Sequence, residues 1–168
     1  GVKQEGQQWG ADHGLEIDAF HVEGVNIIKG PASVIYGSDA MGGTIEILPP
    51  PFPKKDTLSG EALVSYQSVC SGIDGSVMLQ MKRGRFFSKI RYTERHWADY
   101  RVPADSFTYL SMRLPIHNRQ LKNTAGMERS VNAMLAYKHG IYQGRLNISD
   151  SYQKSGFFSG AHGMPSSA

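Results

Sequence analysis

From Glu61 onward the chain repeats one pattern that leaves few folds open: apolar and polar side chains alternate with a period of two. Successive side chains of an extended strand point to opposite faces, so such alternation builds two-faced strands and not helices. Ala62, Val64 and Tyr66 oppose Glu61, Ser65 and Gln67, with Leu63 out of phase. Ile73, Gly75, Val77, Leu79 and Met81 alternate with Asp74, Ser76, Gln80 and Lys82, Met78 being the exception. Lys82-Arg83-Gly84-Arg85 supplies a tight turn. On the return strand Phe86, Ile90 and Tyr92 share one face, while Lys89, Arg91, Thr93 and Arg95 crowd the other. An irregular stretch from about Asp99 to Gly126 follows. Val131, Ala133, Leu135 and Tyr137 then alternate with Ser130, Asn132 and Lys138. The turn Lys138-His139-Gly140 leads to Tyr142, Gly144, Leu146 and Ile148. The reading is about five strands, each long enough (about 9 to 11 residues) to cross a hydrocarbon core when tilted.

Alternation alone does not choose a solvent, because a soluble sandwich or small barrel alternates too, with its apolar face turned inward. The connections favour a membrane wall. The turns after Met81 and Tyr137 are short, whereas the connection between the strands they bracket is long and rich in aromatic and polar residues, the asymmetry of transmembrane barrels. Tyr66, Phe86, Tyr92, Tyr137 and Tyr142 are read as lying toward strand ends, where an interfacial girdle would sit. No run of about 18 apolar residues exists, so no membrane-spanning helix is expected.

Composition agrees and excludes alternatives. The 19 Gly, 8 Tyr and 7 Phe suit strands and turns. The net charge of +3 comes from 18 cations interspersed with 15 anions, not from a block that could track phosphates, so nucleic acid is not expected as a partner. Cys70 is the only cysteine, which rules out an intrachain disulfide and a cysteine-based zinc cluster. No nucleophile elbow, phosphate-binding loop or H-E-x-x-H helix is present, so no enzyme is read. The scattered His13, His21, His96, His117, His139 and His162 show no ligand spacing; no metal ligand and no cofactor are expected.

The pattern changes character at Pro49-Pro50-Pro51-Phe52-Pro53-Lys54-Lys55, a proline run that forbids a central strand. The boundary is placed there, with residues 1–53 as one unit and 54–168 as the alternating wall. Upstream runs Val22-Glu23-Gly24-Val25-Asn26-Ile27-Ile28-Lys29-Gly30-Pro31-Ala32-Ser33-Val34-Ile35-Tyr36-Gly37-Ser38-Asp39-Ala40-Met41-Gly42-Gly43-Thr44-Ile45-Glu46-Ile47. It reads as a strand, a Gly-Pro turn into a short helix-like segment, a second turn, and a strand entered through paired glycines.

That segment closely resembles the plug-domain signature of TonB-dependent outer-membrane receptors, carried here by Lys29, Gly30, Pro31, Ser33, Tyr36, Gly37, Gly42 and Gly43 in one frame. The resemblance implies an α+β plug inside a transmembrane antiparallel β-barrel of roughly 22 strands when complete, of which this mainly β chain would hold the rear of the plug and the first strands. It implies active import across the bacterial outer membrane, powered by the TonB-ExbB-ExbD complex through an N-terminal segment not expected in this sequence. Gly30-Pro31 and Asp39 to Gly43 resemble siderophore, haem and cobalamin receptors more than glycan importers, so a metal chelate is the expected ligand and outer-membrane lipid the surroundings. By the same analogy Gln7, Gln8, Trp9, Asp12 and His13 form a loop facing the substrate, Trp9 as an aromatic platform and the rest as polar edges. Trp97, Tyr100, Arg101, His117 and Arg119, with Tyr109, Arg113, Phe157, Phe158 and His162, form a second aromatic and basic set. Lys89, Arg91 and Arg95 are expected to line the lumen and to pair with plug carboxylates such as Glu23 or Asp39. The competing classes are a glycan importer and a soluble β-sandwich binding module.

Overall fold

The computed structural model describes residues 17–30, 43–109, 111–156 and 158. Within these, strands β1 (Gly24–Lys29) and β2 (Gly43–Leu48) pair antiparallel, Lys29 facing Gly43 and Gly24 facing Leu48. Val25, Ile27, Ile45 and Ile47 share one face of this ribbon, the β-branched content that favours extended backbone. Gly43 has φ +135°, and a Cβ there would lie 2.7 Å from the Ile28 carbonyl oxygen, so the close approach of the two strands requires glycine. The helix-like segment expected after Gly30 lies outside the described residues, as do Pro31, Ser33, Tyr36, Gly37 and Gly42 of the signature.

After the proline connector come β3 (Thr57–Gln67), β4 (Gly72–Arg83), β5 (Phe86–Trp97), β10 (Gly126–His139) and β11 (Tyr142–Ser155), hydrogen-bonded in that order into one antiparallel sheet of five strands. The strand count agrees with the alternation, but β3 begins at Thr57, ahead of the first clean alternation at Glu61. β4 also runs on through Arg83, leaving Gly84 (φ +57°) and Arg85 as the turn. The long connection is less irregular than its sequence suggests. It contains β6 (Tyr100–Arg101) paired with β9 (Gln120–Leu121), and β7 (Ser106–Tyr109) paired with β8 (Met112–Pro115). The short turn 68–71 lies at the same end as this connection, so loop length does not separate the two ends as cleanly as expected.

Register sorts every side chain of the sheet to one of two faces. One face carries Ser76, Lys89, Arg91, Thr93, Ser130 and Asn132, with Met78, Met134, Ala136 and Phe87 as its apolar members. It is the buried face: Ser76, Arg91, Thr93 and Ser130 are all inaccessible although polar. The other carries Leu58, Val64, Leu79, Ile90, Leu135 and Ile148 and is bare, with Val64 82%, Leu58 69%, Ile148 60% and Ile90 50% exposed. A water-soluble sheet does the reverse, since burying apolar area contributes about 25 cal/mol per Å². Aromatic side chains stand at both ends of the bare face of β11, as Tyr142 and Tyr152, and Phe86 packs on Tyr137 with centroids 5.0 Å apart at the short-turn end. Tyr92 is a correction to the girdle, because it falls in the middle of β5.

The apolar cluster of the buried face is small. Phe87, Met134 and Ala136 gather at its short-turn end, and Phe52 of the connector packs edge-on against Phe87 at 5.9 Å. Phe52 thereby holds the proline connector against the wall.

Candidate functional site

The buried polar face is where the two halves of the chain meet. Asp18 precedes a single 3-10 turn, Ala19–His21, and its Oδ1 accepts from the Phe20 amide at 3.0 Å, satisfying one of the free N–H groups that open any helical turn. Its Oδ2 faces the wall, accepting from Thr93 Oγ1 at 2.7 Å and Asn132 Nδ2 at 3.4 Å. Thr93 and Ser76 share a hydrogen bond at 3.0 Å, Arg91 Nη1 donates to Ser76 Oγ at 2.8 Å, and Arg91 Nη2 reaches Glu61 at 2.6 Å. A continuous polar chain therefore runs from Asp18 across three strands. Beside it, Lys89 donates to Glu23, which lies just before β1.

Lys89 and Glu23 are thus joined as the charge pattern suggests. The other two pairings need correction. Arg91 meets Glu61, and Arg95 meets Asp74 and Glu128 at 3.3 Å each, so both are held by carboxylates of the wall itself. Glu61 shares the cross-strand row of Arg91 through Met78, a neighbour relation that only register reveals. Asp39 lies outside the described residues. His21 sits among these charges, and its Nδ1 is buried without a hydrogen-bond partner. Burial foremost, then the positive Lys89 and Arg91, hold its pKa below the ordinary histidine value against the opposing pull of Asp18 and Glu23. The imidazole is therefore neutral at pH 7. The arrangement fastens residues 18–23 to the wall through hydrogen bonds and one ion pair.

The second candidate set is dispersed by the structure. Trp97 Nε1 donates to the Thr124 carbonyl at 3.0 Å, and the indole lies across Gly126, where a Cβ would come within 2.5 Å of the ring. Trp97 therefore closes the base of the long connection. Tyr100 and Arg101 are exposed, their amides bonded to Thr124 Oγ1 and the Val69 carbonyl at 2.9 and 2.7 Å. Arg119 Nε donates to Asp105 at 2.7 Å; this contact keeps the Asp105 carboxyl below its usual range and raises Arg119. Arg113 donates to Ser106 Oγ at 2.7 Å. Of the set, His117 and Phe158 border a cavity of about 210 Å³, walled also by Phe107, Leu114 and Ile116. Gln7, Gln8, Trp9, Asp12, His13, Phe157 and His162 lie outside the described residues. Asp99 gives no signal in the sequence, yet its Oδ1 accepts from the amides of Thr124 and Ala125 at 2.9 and 3.0 Å and ties the ends of the connection together. Among the described residues no three His, Cys, Asp or Glu side chains group as a metal site, and Cys70 is a buried free thiol.

The sequence family described as TonB-dependent Receptor Plug Domain matches residues 1–44, which include the segment 18–23 fastened to the polar face of the wall. The chain carries the plug domain of a TonB-dependent receptor. More particularly, it is similar to the Vitamin B12 transporter BtuB of Vibrio vulnificus (strain YJ016), with 53% identity over 38 residues, a stretch covering 23% of this chain and 6% of that transporter. No solved structure matches the chain.

Proposed function

We propose that this chain is part of an outer-membrane importer that takes up a metal chelate by TonB-driven rearrangement of its plug, and that the chelate is a corrinoid of the cobalamin type. In this reading residues 1–53 are the rear of the plug and 54–168 the first strands of the barrel, with the polar face toward the lumen and the bare apolar face toward lipid. The observation that carries it is the coincidence of the plug match over residues 1–44 with a wall whose polar face receives Asp18 and Glu23. The corrinoid is favoured over iron chelates by the identity to a vitamin B12 transporter. The pairing of Arg119 with Asp105 also offsets one of the cations that an anionic siderophore would use. A soluble sandwich would hide Val64, Ile90 and Ile148, which here are open.

The test is uptake. The complete gene is expressed in a strain lacking its own cobalamin receptor, and radiolabelled cyanocobalamin and ferric siderophores are supplied in turn. Accumulation of the corrinoid, abolished when TonB is deleted, is the expected result. Uptake of only an iron chelate overturns the corrinoid assignment, and TonB-independent uptake overturns the mechanism.

A further inference from the structure

In the barrel reading the polar face looks into the lumen and the short turns lie on the periplasmic side, the side to which imported cargo must leave. That end of the wall concentrates positive charge. Lys54 and Lys55 of the connector, Lys82 and Arg83 at the end of β4, Arg85 of the turn and Lys138 at the end of β10 lie there, with Asp56 as the one acid among the described residues of that tip. Six cations against one carboxylate leave +5, against +3 for the whole chain. At the opposite end acid and base are matched, as Arg119 with Asp105 and Arg95 with Asp74.

Register turns part of this charge inward. Lys82 pairs across the strands with Phe87, and Lys138 follows two residues after Ala136, which also pairs with Phe87, so both stand on the polar face. With Lys54, Phe52, Pro53 and Gly84 they surround a cavity of about 320 Å³. Phe52 of this lining is held edge-on by Phe87, and Asp56 Oδ1 accepts from Lys82 Nζ at 2.8 Å and from the Gly84 amide at 3.0 Å. Asp56 thereby offsets Lys82, whereas Lys54 and Lys138 are exposed and bonded to no acid among the described residues.

We propose that this cup is an exit-side site for the phosphodiester of a cobalamin-type cargo, the one anionic group such a corrinoid carries. The inference rests on the corrinoid reading above and names the part of the cargo that this chain holds on the way out. Ammonium groups bind phosphate as point charges, and Lys54 and Lys138, with no acid of their own, supply the charge that a monoanion needs. The volume sets the extent of the contact. Ligand pockets run from about 300 to 1,000 Å³, and this one lies at the small end, so it takes the nucleotide end of the cargo and leaves the corrin ring in the lumen. The same register keeps lipid headgroups out, because the lining stands on the face opposite the bare apolar one.

The experiment measures uptake by the complete receptor in TonB-competent cells that lack their own cobalamin receptor. The two cargoes are radiolabelled cyanocobalamin and radiolabelled dicyanocobinamide, a corrinoid without the nucleotide and its phosphodiester. Lys54→Gln with Lys138→Gln leaves the Lys82–Asp56 pair intact. It should lower the maximal rate for cyanocobalamin about tenfold, the combined effect of two surface-level ion pairs, with binding at the cell surface and the cobinamide rate unchanged. Lys54→Arg with Lys138→Arg should keep the wild-type rate. Equal cyanocobalamin rates for wild type and the glutamine variant overturn the site. Equal loss for the two corrinoids overturns the phosphodiester assignment, since a merely structural role would slow either cargo. A wild type that takes up neither corrinoid sinks the corrinoid reading instead, a distinguishable outcome.

Discussion

Ile90→Arg places a charge at the centre of the bare face and separates the two solvents that the sequence alone leaves open. Ile90 is flanked across the strands by Leu79 and Ala133, and beyond Ala133 by Ile148, so no polar neighbour on that row could receive the guanidinium. On a water-exposed face the change is a surface substitution, worth within about 0.5 kcal/mol either way. At the midplane of a bilayer an arginine on the lipid face costs about 2–4 kcal/mol, a drop of about 30-fold to 1,000-fold in the folding equilibrium. The assay is reversible denaturant unfolding of the complete receptor in phosphatidylcholine vesicles, read by tryptophan fluorescence. Ser149→Arg is the control, since Ser149 lies across from Asn132 on the polar face. The lipid assignment predicts a marked loss for Ile90→Arg and almost none for Ser149→Arg. Equal midpoints for Ile90→Arg and wild type would refute the reasoning.

Three further outcomes follow from the docked segment and the base of the long connection. The Lys89–Glu23 pair has its ammonium wholly buried and its carboxylate 40% exposed. Glu23→Ala should therefore destabilise docking of residues 18–23 by about 2 kcal/mol, between exposed and buried pairs, while Glu23→Ala with Lys89→Met should recover much of it; calorimetry of the plug transition would show an additive cycle if the pair were inert. Because His21 has a folded pKa below its unfolded value, its contribution is full above about pH 6.5 and is lost as pH falls through the lower folded value. The plug transition should weaken in that window, and His21→Gln should flatten it, whereas an unchanged slope would contradict a buried neutral ring. Gly126→Ala drives a Cβ into Trp97 and the Lys154 carbonyl and should cost about 1–3 kcal/mol, whereas Gly144→Ala, with nothing within 4 Å, should be close to neutral in the same melts.

Much of this wall could be read from the sequence because period-two alternation is strand geometry itself: Lys89, Arg91, Thr93 and Arg95 fall on one face of β5 as their spacing requires. The Lys89–Glu23 tie was legible as charge, since a cation on a crowded face needs an anion opposite. The partners of Arg91 and Arg95 were not, because Glu61 and Glu128 join them only through register set by turns and by a long insertion. Trp97 reads in the sequence as one of an aromatic and basic set for ligand, and nothing local signals that Gly126, across that insertion, leaves the gap its ring fills. Asp18 and Asp99 escaped for a related reason. Asp18 holds a backbone amide as well as side chains and Asp99 holds two backbone amides, and an isolated aspartate carries no periodic signature.

The most direct test of the account is collisional accessibility along β11, with a spin label placed at each position from Gly144 to Tyr152 of the reconstituted receptor. The account predicts a period of two. Leu146 and Ile148 should be reached by oxygen from the lipid, and Asn147, Ser149 and Ser151 should be shielded from it. The opposite phase, or access to a polar quencher at Leu146 and Ile148, would contradict the assignment of the apolar face to lipid.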